Sequence, residues 1–161
     1  VETVHWEETM TIFGKPISEY VRFQKFMLAV VAAVGLSRLL LSLLSANNIA
    51  AWFSMTVLVL VGVVLYPFLV HIKKFGGYRH VLVLLSLQLV LTGLIIVLGI
   101  GIAVLTGSGN IFSGEDVGPI GAEVGHAAQH LIGGPIIVAL ILWIPSSVIL
   151  FLTRLVAQRS A

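Results

Sequence analysis

The sequence predicts an all-α fold, a four-span transmembrane helical bundle with both termini cytoplasmic and a short outer-surface, or kinked, helix before the last span. Three observations carry this expectation. Of 161 residues, 58% are hydrophobic and only 10% are charged, against about 25% charged in an ordinary soluble domain. The apolar residues gather in uninterrupted runs long enough to cross a hydrocarbon core of about 30 Å, and far longer than the alternating strands of a lipid-facing barrel. Finally, Arg22, Lys25, Lys73, Lys74, Arg79, Arg154 and Arg159 fall on one side of a four-span layout, while the opposite loops hold Glu115 and Asp116 and no Lys or Arg. That asymmetry orients a bundle with its basic side inward. The expected location is a cytoplasmic membrane of bacterial inner-membrane type.

Residues 1–20 are polar and aromatic. Trp6, Phe13 and Tyr20 suit the headgroup region, where a short amphipathic element could lie, and His5 sits in this segment. Glu2, Glu7, Glu8 and Glu19 precede the first span, which does not read as a signal peptide. Ser18 is a candidate helix cap. The membrane domain then covers residues 21–156, with spans expected at 22–45, 52–71, 81–105 and 135–153 and a cytoplasmic tail at 157–161.

Small residues along the first span, among them Ala32, Gly35 and Ser42, suit close helix packing. Arg38 interrupts this span roughly 10 Å short of its far end, a depth at which a charge usually has a partner. Asn47 and Asn48 form a polar turn, and Trp52 opens the second span, which holds Pro67 in its last turn. The loop around Gly76 and Gly77 is basic, with His71 and His80 at the flanking helix ends. In the third span Gln88 is expected to bond across helices, and Trp143 in the last span to pack. Residues 106–119 form the longest loop, glycine-containing but without a phosphate-cradle string.

The most informative stretch is 120–132. It places Glu123, His126 and His130 within roughly 60° of one another on a helix wheel. A single helix from Ile120 to Val156 would run about 55 Å, too long for a core of about 30 Å. Gly133-Gly134-Pro135 therefore reads as a break, with Pro135 opening the last span and 120–132 lying at the outer surface. A kinked continuous helix is the alternative. Either way the segment shares a side with Arg38, and an Arg38–Glu123 pair would resolve the buried charge.

The candidate site is thus a small-ligand or metal site at the extracytoplasmic mouth: Arg38, Glu123, His126 and His130 as ligand contacts, with Glu123, His126 and His130 as metal ligands. His126 and His130, four apart on a helix, can chelate a single divalent ion such as zinc. The Glu123-x-x-His126 spacing also occurs in di-iron bundles, but the carboxylates those need on other helices are missing. A b-type haem would have to use His71 and His80, or a dimer partner. A quinone or lipid headgroup held by a histidine with Arg38 needs no second axial ligand. Expected partners are membrane lipid and a homodimer or larger membrane complex, and the alternative role is a non-catalytic accessory subunit of such a complex. The absence of cysteine excludes disulfides, thiolate metal sites and cysteine nucleophiles. No serine-hydrolase, dinucleotide or nucleic-acid motif occurs, and a net charge of +2 spread beside apolar spans is no nucleic-acid signal.

Overall fold

The computed structural model describes residues 11–114 and 117–159. Within them, four helices are long and apolar enough to cross a bilayer: Ile17–Leu43, Asn47–Ile72, Tyr78–Thr106 and Ile120–Arg159. The chain is an integral membrane protein built as a helical bundle. His5, Trp6, Glu115 and Asp116 lie outside the described residues.

Most of the expected amphipathic element lies outside the described residues, and residues 11–16 form a hairpin. Strand β1 (Thr11–Ile12) pairs antiparallel with β2 (Lys15–Pro16). The turn passes through Phe13 and Gly14 at φ 51° and 82°, the paired left-handed conformation of tight hairpin turns. Pro16, not Ser18, is the N-cap of helix α1 (Ile17–Leu43), so the first span starts earlier than expected. The Tyr20 hydroxyl donates to the Ile12 carbonyl at 2.8 Å and ties the hairpin to α1.

A short helix α2 (Asn47–Ala50) leads to α3 (Met55–Ile72), whose N-cap Ser54 accepts from the Val57 N–H at 3.3 Å. Helix α4 (Tyr78–Thr106) ends at Gly107 with φ 66°, the left-handed C-cap that glycine adopts without strain. The loop after it folds back onto the bundle. Asn110, 5% exposed, donates from Nδ2 to the Gly99 carbonyl at 2.7 Å, and the Ile111 N–H donates to Ser42 Oγ at 2.9 Å.

The last span follows the alternative of a continuous helix and not the favoured break. Gly133-Gly134-Pro135 does not break the chain: α5 (Ile120–Ala128), a π-helical segment (Gln129–Val138) and α6 (Ala139–Arg159) follow one another without interruption. The physical reason lies in the proline. An α-helix would require the N–H that Pro135 lacks and would press its ring on the carbonyl four residues back. Bonding five residues back relieves both conflicts, as in the Ala139 N–H to Gly134 carbonyl bond. The resulting rod is on the order of 55 Å long and outruns the hydrocarbon core.

Two ends are distinguishable. At the basic end, the Phe75 ring meets Phe23 at 4.0 Å and Tyr20 at 5.5 Å between centroids, and Arg154 Nη2 donates to the Gly76 carbonyl at 2.9 Å. At the far end sit Arg38, Ser42, Asn47 and the folded-back loop. Between them lies a core in which Val31, Tyr66, Leu84, Leu85 and Leu150 are fully buried. Polar cross-helix bonds stitch it together: Gln88 Nε2 to the Leu58 carbonyl at 2.9 Å, and Ser146 Oγ to the Val63 carbonyl at 2.8 Å. Trp143 packs against the core as expected and donates to the Tyr78 carbonyl at 2.8 Å. Outward-facing Phe26, Leu40, Trp52 and Leu105 present the apolar surface that lipid covers.

Candidate functional site

The spacing of Glu123, His126 and His130 translates into a linear array along one helix face. Glu123 stands in the first turn of α5, where a carboxylate complements the unpaired N–H groups of a helix start. Its Oε1 accepts the Gly118 N–H at 2.9 Å, and the residue is 6% exposed. Its Oε2 has no hydrogen-bond partner and faces His126 Nδ1 at 4.0 Å. His126 Nε2 then lies 3.2 Å from His130 Nε2. Glu123 thus addresses the ring nitrogen of His126 that His130 does not. Among the described residues, no three His, Cys, Asp or Glu side chains converge as a metal cluster.

Arg38 does not pair with Glu123. It donates from Nη1 to the Phe53 carbonyl at 3.1 Å, and its guanidinium lies 5.7 Å from the centre of the Phe112 ring. Glu123 is turned back on its own helix start, and a main-chain oxygen meets Arg38 first. Among the described residues the ion pairs are Lys15–Glu19 and the Glu123–His126 contact, so no carboxylate neutralises Arg38. Its Nε is buried without a partner.

Arg38 and His130 meet on a common cavity instead. A space of about 470 Å³ opens between α1, α3, α4 and the π segment, walled by Met55, Val59, Leu60, Leu89, Ile96, Val138 and Leu142. Its polar lining comes from Arg38, Thr56, Thr92 and His130, and Ile111 and Phe112 border it from the far-end loop. Thr92 Oγ1 is a further buried polar atom without a partner. The cavity depends on a close backbone approach: a Cβ on Gly93 of α4 would stand 2.5 Å from the His130 carbonyl oxygen.

His71 and His80 are not brought onto one recess. His80 lines a space with Trp143 and Ser147, its Nδ1 accepts the Gly77 N–H at 3.1 Å, and its ring stacks on Tyr20. His71 lines a different one, with Lys74 and Arg154. Sequence reasoning missed Gly93, Phe112 and the role of Thr92. Thr92 was legible as a polar interruption; Gly93 gave no signal, since its importance lies in what approaches it. No known family model matches this chain, and no curated protein or solved structure is significantly similar to it, so the cavity and its lining carry the functional argument.

Proposed function

We propose that the protein binds an amphipathic small molecule in the cavity, with a carboxylate or carbonyl head between Arg38 and His130 and an apolar body along Val59, Leu89 and Val138. One observation carries this reading: an arginine without a carboxylate partner among the described residues lines a mostly apolar space inside a membrane protein. Guanidinium keeps its charge and has donors to spare after the Phe53 carbonyl is satisfied. An acceptor oxygen from a ligand would complete its shell, and the apolar walls fit a hydrocarbon body. With the basic end cytoplasmic, as the charge distribution argues, the cavity lies nearer the opposite end of the bundle, beside Arg38 and the far-end loop.

The test is binding of a long-chain fatty acid and a short-tailed quinone to protein in detergent, by calorimetry. Arg38→Ala removes one side of a desolvated polar contact, so affinity should fall by about 3 kcal/mol, roughly 150-fold. Equal binding by wild type and Arg38→Ala would refute the reading.

The histidine pair favours a second one. A divalent ion such as zinc about 2.0–2.1 Å from each Nε2 would span the observed 3.2 Å gap at an angle of roughly 100°, close to tetrahedral. Glu123 would then orient His126 through Nδ1 and not act as a ligand. Zinc measured after equilibrium dialysis should approach one ion per chain, and the double variant His126→Ala/His130→Ala should retain none. Zinc retention by the double variant equal to wild type would rule the site out.

A further inference from the structure

At the basic end, where α3 stops and the chain turns toward α4, a recess of about 410 Å³ is closed on one side by Arg154 of α6. Its polar side chains are His71, Lys74 and Arg154, and Val70, Ile72 and Gly76 complete the wall. All three carry, or can carry, positive charge, and among the described residues no carboxylate lines the space. The described carboxylate at this end, Glu19, is already bound by Lys15.

The turn itself sets Lys74 beside the recess. Helix α3 ends with the Phe75 N–H on the Val70 carbonyl at 3.0 Å and the Lys74 N–H on the His71 carbonyl at 3.2 Å. This pattern places a left-handed residue just past the helix, where glycine is usual. Lys74 occupies it at φ 51°. An ammonium thus stands at a position where the backbone by itself favours no side chain.

Arg154 is held from two directions. Its Nη2 donates to the Gly76 carbonyl at 2.9 Å, and its guanidinium lies 5.3 Å from the centre of the Tyr78 ring. Most donors of the guanidinium stay available, and its planar fork suits the oxygens of a phosphate. The His71 and Lys74 side chains have no hydrogen-bond or ion-pair partner among the described residues.

We propose that His71, Lys74 and Arg154 bind a phosphate group, that of an anionic phospholipid in the leaflet at the basic end. Like charges gathered on one recess repel until an anion joins them, and basic recesses at the ends of membrane helices suit anionic headgroups. The surroundings favour a lipid as the source. Ile72, 70% exposed, lines the recess, and Phe68, one turn back on the same face of α3, is also exposed. A hydrocarbon chain attached to the bound phosphate has this stripe to lie on. The site is separate from the Arg38 cavity at the far end and does not depend on what that cavity holds.

Calorimetry tests it on the full chain in a neutral detergent, titrated with dioctanoyl phosphatidylglycerol and, separately, with glycerol phosphate. Wild type should bind the lipid saturably at a single site. Lys74→Gly should weaken binding about tenfold, at an unchanged or raised melting temperature because glycine accepts the left-handed turn. Lys74→Asn also tolerates that conformation and should weaken binding as much, so the result does not hang on the folding of one variant. Lys73→Gln removes the same charge one residue away. Its ammonium lies 5.4 Å from the centre of the Phe23 ring and does not line the recess, so this variant should bind as wild type does. Glycerol phosphate binding as tightly as the lipid would uphold the phosphate site and assign it to a soluble compound. No saturable binding of either probe, or full affinity in Lys74→Gly, would overturn the proposal. So would an equal loss in Lys73→Gln, which would reduce the effect to diffuse charge.

Discussion

Gly93→Ala is expected to destabilise the protein by about 2 kcal/mol, although alanine is the better helix former. The gain in helix propensity is about 1 kcal/mol. Against it stands a methyl group placed 2.5 Å from the His130 carbonyl oxygen. That neighbour is backbone, so no side chain can rotate away; α4 and the π segment must separate. Overpacking of this kind costs about 1–3 kcal/mol and sometimes more, and the upper part of that range applies where a main-chain atom is struck. Thermal unfolding in detergent checks it. An unchanged or raised melting temperature would mean that the contact between α4 and the π segment yields easily.

Gly134→Leu should do the opposite to stability and weaken binding. Gly134 borders the same cavity, yet a Cβ there meets nothing within 4 Å. Replacing glycine in a helical segment by leucine stabilises by about 1 kcal/mol through propensity, and the new side chain has open space to occupy. The proposed fatty acid or quinone would then compete with a side chain of the protein itself. Calorimetric affinity should fall at least tenfold, about 1.4 kcal/mol, while the melting temperature rises. Undiminished binding would place the ligand outside the cavity. The two glycines, in neighbouring positions, are thus expected to respond in opposite senses because one faces a carbonyl and the other faces space.

Such local differences mark where the sequence stops being legible. The spans could be read because bilayer thickness acts on composition alone: a run such as Val81 to Leu105 admits no other placement. Gln88 could be read because a carboxamide in hydrocarbon must find a partner, and it bonds the Leu58 carbonyl. His126 and His130 come together because one helical turn separates them. The partner of Arg38 was not legible. A long side chain chooses among several acceptors, and the main-chain oxygen of Phe53 is invisible in a string of residue types. Gly133-Gly134-Pro135 misled for a related reason. The triplet weakens an α-helix, but whether the chain breaks or rewinds depends on the surface it lies against, here Gly93 of α4. The hairpin at residues 11–16 escaped notice because Phe13 occupies a left-handed position usually given to asparagine or glycine.

The rewound segment has a consequence for how the last span can vary. Ala139, Ser146 and Leu150 mark the inward stripe of α6, while Glu123 is the inward residue of α5. The π winding between them absorbs extra backbone, so the two stripes are offset in phase. It works as a rotary coupling: one residue removed between Gln129 and Val138 would turn one half against the other by about 100°. The histidine array and the Ser146 anchor could not then both face the bundle. The length of this stretch is therefore more tightly constrained than the identity of most of its residues, and single-residue deletions here should be tolerated far less well than substitutions.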